Sequence, residues 1–249
     1  MRVSWTSQQG QKRRQNSDAA AIGYCGEYFI ATLADAAEKH FDGHMLNGIN
    51  NRGERLAQYW ANSTTKTILE SGSYLNTEQV IAQLADRQKT LRSDFLYDIA
   101  SYGVLILNVR SGKLQWLYTG DCRIGVQSNG AKIDWINMPH RIESTEIYKR
   151  TGVEGRPIIA DEQQVAQQTL TQSLNARRFT QPELIEADIA QDATVLAATD
   201  GFWCEHLFRG VALPELEDDA SWLQMVHGTQ SVQQSTDSTN FLSVTEDRE

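Results

Sequence analysis

Residues 29–44 read FIATLADAAEKHFDGH. The segment opens as a short apolar run of strand character and stops at an acid, Asp35, although a carboxylate at the edge of a core is costly unless something neutralises it. Three more acids stand in the same kind of place: Asp121 follows LQWLYTG, Asp200 ends TVLAAT, and Asp18 stands just before the apolar AAAIG. Each has an ordinary explanation when taken alone, because strands must stop, aspartate favours turns, and Asp200-Gly201 is a turn signal. Together they form a pattern. Strand ends of packed sheets can converge, and carboxylates that share one mouth need a cation. An all-oxygen ligand set suits Mg²⁺ or Mn²⁺ rather than zinc.

Working outward, apolar runs of β-branched and aromatic character predict strands at 28–34, 103–109, 114–118, 124–126, 194–198 and 240–244. Helical periodicity predicts helices at 54–69, at 77–91 with Asn76 as N-cap, at 161–174, and from 221 to 230. This order reads as an α+β chain with antiparallel sheets. No repeat, low-complexity tract or linker divides it, so a single domain over 1–249 is expected. Glu217-Asp218-Asp219 reads as a solvated acidic turn before the helix at 221.

Composition narrows the function. A 249-residue chain with 40% hydrophobic residues and 4 prolines can bury a sizeable core. The net charge of −9 argues against nucleic acid or an anionic membrane as partner, since both are bound through Lys and Arg. The tryptophans are not spaced as stacking platforms for bases. Cys25, Cys122 and Cys204 lack Cys-x-x-Cys spacing, which points to neither disulfides nor zinc and fits a reducing, cytoplasmic setting. No apolar stretch approaches the roughly 18–20 residues of a membrane span, and the polar start MRVSWTSQQGQKRR lacks a signal-peptide core.

The motifs around these acids also have a family likeness. RRQNSD at 13–18 resembles the Arg-x-x-Asn-Glu-Asp signature of bacterial type 2C (PPM) metal-dependent protein phosphatases; LADA resembles their Ala-Asp-Gly step, and TGDCRIGV their Gly-Asp-Ser-Arg turn and strand. TLTQSL, QDATVLAATDGFW and TDSTNFLSV are similar to three later motifs, the last being the closing Asp-Asn-x-Thr strand. The resemblance runs in family order from about residue 10 to residue 244. It implies a four-layer α-β-β-α sandwich of two antiparallel sheets flanked by helices. At one end of the sandwich two Mg²⁺ or Mn²⁺ ions, roughly 4 Å apart, would activate a bridging water for in-line attack on phosphorus. On the family pattern Asp18, Asp35 and the backbone carbonyl of Ala36 hold the metal pair, and Asp200 and Asp237 complete the coordination. Asp121 serves a third, weaker metal site, and Arg13 clamps the phosphate.

The implied activity is hydrolysis of phosphoserine and phosphothreonine in a protein substrate, opposing a serine/threonine kinase. The chain departs from the pattern at Ser17 (glutamate in the family), Ala36 (glycine), Ala37-Glu38-Lys39-His40 (a glycine-rich run) and Ser238 (asparagine). These changes leave the general acid open, with His40 and His44 nearby. An alternative reading is a pseudophosphatase that keeps the fold as a binding or regulatory module; another is a hydrolase of small phosphate esters. A second alignment would use Asp42-Gly43-His44 as the Asp-Gly step, but Asp42 lies outside the apolar strand that a metal ligand needs for support. Residues 138–159 are expected to form a flap beside the cleft. Its Arg141, Lys149, Arg150 and Arg156 either attract a phosphorylated substrate or are simply exposed loop residues.

Overall fold

The computed structural model describes residues 1–37, 52–72, 76–128, 130–145 and 165–244. Its frame is a pair of sheets. The seven-stranded one consists of β2 (Asp18–Cys25), β3 (Tyr28–Ala36), β4 (Ile99–Asn108), β5 (Lys113–Thr119), β8 (Leu174–Asn175), β9 (Glu183–Asp188) and β13 (Phe241–Val244). Its order is β13-β2-β3-β4-β5-β9, with β8 on β4. The six-stranded one consists of β1 (Arg2–Gln8), β6 (Arg123–Gln127), β7 (Asp134–Trp135), β10 (Thr194–Ala198), β11 (Ala220–Val226) and β12 (Ser231–Thr236), in the order β12-β1-β11-β10-β6-β7.

Side chains from both sheets meet in a core that includes Val3, Trp5, Phe29, Leu33, Trp116, Ile124 and Leu223, all fully buried. Gly103 in β4 makes room for one of them: a Cβ there would come within 1.9 Å of the Trp116 ring. Outside the seven-stranded sheet lie α1 (Gly53–Glu70) and α2 (Thr77–Thr90). α1 buries Leu56, Ala57, Trp60, Ala61, Thr64, Thr65 and Ile68, the single stripe that a 3.6-residue period produces. Thr65 Oγ donates to Thr32 Oγ at 2.8 Å, fastening the helix to β3. Asn76 caps α2 as expected, accepting from the Glu78 amide at 2.8 Å. On the outer face of the other sheet a short wide helix, Gly201–Phe208, packs Phe202 and Trp203 over Leu196 and Ala198. The expected sandwich is therefore the one observed.

Three expectations need correction. The sheets are mixed rather than purely antiparallel, because β1 pairs β12 and β2 pairs β13 in parallel. The segment at 221–230 is not a helix. β11 occupies most of it, with Ser221, Leu223 and Met225 buried and Trp222 and Gln224 half-buried, a two-residue alternation that belongs to a strand. Within 161–174 only residues 165–168 are described as helical, and Leu174 has already entered β8. No helix among the described residues is long and apolar enough to cross a membrane.

Candidate metal centre

β2 and β3 run antiparallel with Asp18 directly opposite Asp35, so two carboxylates from separate sequence motifs meet at one end of the sheet. Asp18 is completely buried. Behind it a polar network fixes the start of β2. The Asn240 amide donates to the Asp18 carbonyl at 3.0 Å and to Ser7 Oγ at 2.7 Å, while Trp5 Nε1 donates to Asn240 Oδ1 at 3.1 Å. Asn16, from the RRQNSD motif, accepts from the Asp18 amide at 3.0 Å and donates to Ser7 Oγ at 2.8 Å. Thr199, at the end of β10, donates its hydroxyl to Asp18 Oδ2 at 2.9 Å. Asp18 Oδ1 is buried with no hydrogen-bond partner among the described residues, and so is the Ser17 hydroxyl beside it.

The ladder next to Asp35 is interrupted in a useful place. The Ala36 amide donates to the Ser17 carbonyl at 3.0 Å, but the Ser17 amide gives its hydrogen to Asp219 Oδ2 at 2.7 Å instead of returning it to Ala36. The Ala36 carbonyl thus loses the rung that an antiparallel pair would normally supply.

Asp200 reaches the same end of the sandwich from β10. The turn signal Asp200-Gly201 has a packing cause: a Cβ on Gly201 would sit 2.1 Å from the Asp219 carbonyl oxygen, so glycine lets the 201–208 helix start against β11. That approach brings in two acids read from sequence as a solvated turn. Asp219 is buried and accepts from the Gly10 amide at 2.9 Å as well as from Ser17. Asp218 accepts from Arg13 Nε at 2.6 Å, which places the arginine of RRQNSD at the edge of the acidic cluster, its side chain 24% exposed.

Asp121 is also there, in the turn from β5 to β6, but it is already neutralised. Arg141 Nε donates to Asp121 Oδ2 at 2.8 Å, and its Nη2 reaches both Asp121 Oδ2 at 2.6 Å and Asp200 Oδ2 at 2.5 Å. Expected from sequence to be an exposed flap residue, Arg141 is instead buried at the base of the site.

Like charges packed this closely change their acidity. Burial first, and repulsion from Asp219, hold the Asp18 carboxyl well above the usual range; burial, then Asp18 and Asp200, do the same for Asp35. Burial and Asp218 push Asp200 up to about 7, and burial outweighs two amide hydrogen bonds to push Asp219 to about 7. An unfolded aspartate titrates near ~3.9, so between that pH and the folded values the native chain binds more protons than the unfolded one and stability falls as pH rises. In metal-free buffer the melting temperature is therefore expected to drop as the pH is raised from about 5 to about 8. Mn²⁺ should restore most of the loss at the upper end, where its ligands are deprotonated. Differential scanning fluorimetry with and without Mn²⁺ checks this; a flat metal-free profile contradicts it.

No three carboxylate, histidine or cysteine side chains among the described residues converge into a ready-made cage. The donors nevertheless fit a cation that keeps much of its water. Mg²⁺-type sites need only one or two carboxylates, and here Asp18 and Asp35 face each other with an unsatisfied Asp18 oxygen and an interrupted carbonyl rung between them. Of the residues expected in the site, Arg13, Asp18, Asp35, Ala36, Asp121 and Asp200 lie at this end. Asp237 is placed differently, exposed, with its carboxylate accepting the Gln9 amide at 2.9 Å. Ser238, beside it, is half-buried. His40, Asp42, His44, Lys149, Arg150 and Arg156 lie outside the described residues.

No protein-family model matches the sequence, and no curated protein does. Solved structures do match the fold. A serine/threonine phosphatase of S. agalactiae aligns with a TM-score of 0.62 at 11% identity over 91% of this chain and 99% of its own. The serine/threonine phosphatase PstP/Ppp of Mycobacterium tuberculosis aligns at 0.64 and 15% over 91% and 98%. The catalytic domain of PstP in complex with two manganese ions aligns at 0.61 and 16% over 89% and 96%. The chain thus has the fold of the type 2C serine/threonine phosphatases.

Proposed function

We propose that the protein is a Mg²⁺- or Mn²⁺-dependent phosphatase that removes phosphate from serine and threonine of a protein substrate, opposing a kinase. The observation that carries this reading is the Asp18/Asp35 pair: two carboxylates face each other across β2 and β3, held by a polar network, with one buried oxygen unsatisfied. A repulsive pair of one buried and one half-buried carboxylate is unfavourable for folding alone and makes sense as a cation site. Divalent ions held there would supply an activated water and positive charge for the phosphate oxygens. In this arrangement Asp18, Asp35 and the Ala36 carbonyl are the central ligands. Asp200 and Asp218 stand around them, Asp218 taking the part that the family pattern gave to Asp237. The manganese complex of the PstP catalytic domain, a chain of the same fold, supports the choice of metal.

Arg13 would orient the phosphate, a task suited to a planar guanidinium. Its ion pair with Asp218 holds it at the edge of the cluster. Arg13→Ala is expected to raise the KM for a phosphothreonine peptide by about tenfold or more, the scale of one charge-assisted hydrogen bond. Its melting temperature should stay close to that of the wild type, because the side chain fills no core. Unchanged KM, or an unfolded variant, contradicts the assignment. The activity itself is tested by assaying the purified chain with Mn²⁺ against phosphothreonine and phosphoserine peptides and, in parallel, small phosphate esters. Peptide turnover that disappears on chelation supports the proposal. Turnover of small esters alone identifies a small-molecule hydrolase, and no turnover at millimolar metal leaves only a binding module.

A further inference from the structure

We infer that Arg141 is a built-in cation that occupies, between Asp121 and Asp200, the place where a third metal ion would otherwise bind. The inference rests on the metal dependence proposed above, and it concerns Asp121, an expected metal ligand whose carboxylate is already paired. Both oxygens of Asp121 are engaged: Oδ1 accepts from Ser101 Oγ at 2.6 Å and Oδ2 from Arg141. The guanidinium bridges to Asp200 through Nη2, points Nη1 at Cys204 Sγ at 3.5 Å, and lies 4.8 Å from the centroid of the Trp203 ring. The Trp203 indole in turn donates to the Asp121 carbonyl at 2.9 Å.

The socket is built from the backbone outward. The His140 amide donates to the Gly120 carbonyl at 2.9 Å, and the Gly120 amide returns a hydrogen bond to His140 Nδ1 at 3.0 Å. This ties the residue before Arg141 to the residue before Asp121. The His140 ring stacks on Tyr118 at 4.7 Å, and Arg141 forms a strand bridge with Leu170. A charged side chain only 3% exposed must be matched by fixed partners, and this one is matched by two carboxylates and an aromatic face. A divalent ion at Asp121 would compete with the Ser101 hydroxyl and the guanidinium for the carboxylate, and it would meet the positive charge of Arg141. Among the described residues the guanidinium meets Asp200 through Oδ2.

Counting bound Mn²⁺ tests this, by equilibrium dialysis of the full chain followed by elemental analysis. Arg141→Gln keeps much of the stem but removes the charge, and it is expected to bind one more ion per chain than the wild type. Arg141→Lys should return the wild-type count. With Arg141 in place, Asp121→Asn should leave the wild-type count unchanged, and this variant decides the matter if Arg141→Gln does not fold. The inference is overturned if Asp121→Asn loses an ion, or if Arg141→Gln binds no more than the wild type. A wild-type chain that binds no Mn²⁺ sinks the phosphatase reading by itself. The inference is then upheld by an ion gained in Arg141→Gln and overturned by none.

Discussion

Asp35→Asn is expected to lower kcat/KM for Mn²⁺-dependent hydrolysis of a phosphothreonine peptide by more than about 100-fold, since substitutions one shell further out already cost about 10–100-fold. The same variant should be at least as stable as the wild type without metal. The Asp35 carboxyl is held well above its ordinary range by burial and by Asp18, and asparagine removes that repulsion while keeping the shape. A loss of activity together with a gain in metal-free melting temperature is the signature of a residue kept for function at the expense of the fold. A variant that keeps its activity contradicts the assignment, and one that merely unfolds shows Asp35 to be structural.

The second large effect separates two acids that compete for one role. Asp218→Asn is expected to reduce activity by about 10–100-fold, because it removes the partner of Arg13 and a charge close to Asp200, Asp18 and Asp35. Asp237→Asn should stay within about twofold of the wild type, as exposed positions away from such features generally do. Steady-state kinetics on both variants decides it; the reverse ranking would restore Asp237 to the centre and displace Asp218.

This competition shows how far the sequence was legible. Asp18, Asp35 and Asp200 stand next to nearly continuous apolar strands that are buried on both faces, and such runs are visible in any window. β11 is different. Ser221 and Gln224 interrupt its apolar run, and Trp222 on the other face packs against Phe202, so the segment also fits a helix over 221–230 with the acids before it as a solvated lead-in. TDSTNFLSV resembles the closing motif in its letters, but that segment leads into an edge strand, β13. The slot between β1 and β10 belongs to β11, with Asp218 and Asp219 immediately before it. In the sequence the strand shows only in the alternation Leu223-Gln224-Met225. β1 carries a similarly weak signal, its core residues Val3 and Trp5 being separated by a polar one.

Arg141 had no such signal. It is one of several basic residues in a stretch without periodicity, and it is turned inward by the tertiary pairing of His140 with Gly120, which no local pattern reveals.

Anomalous scattering from crystals soaked in millimolar Mn²⁺ tests the metal centre most directly. The expected result is a pair of peaks beside the Asp18 and Asp35 carboxylates and the Ala36 carbonyl, with the Arg141 guanidinium still bridging Asp121 and Asp200. Ordered Asp18 and Asp35 side chains with no anomalous density between them would contradict it.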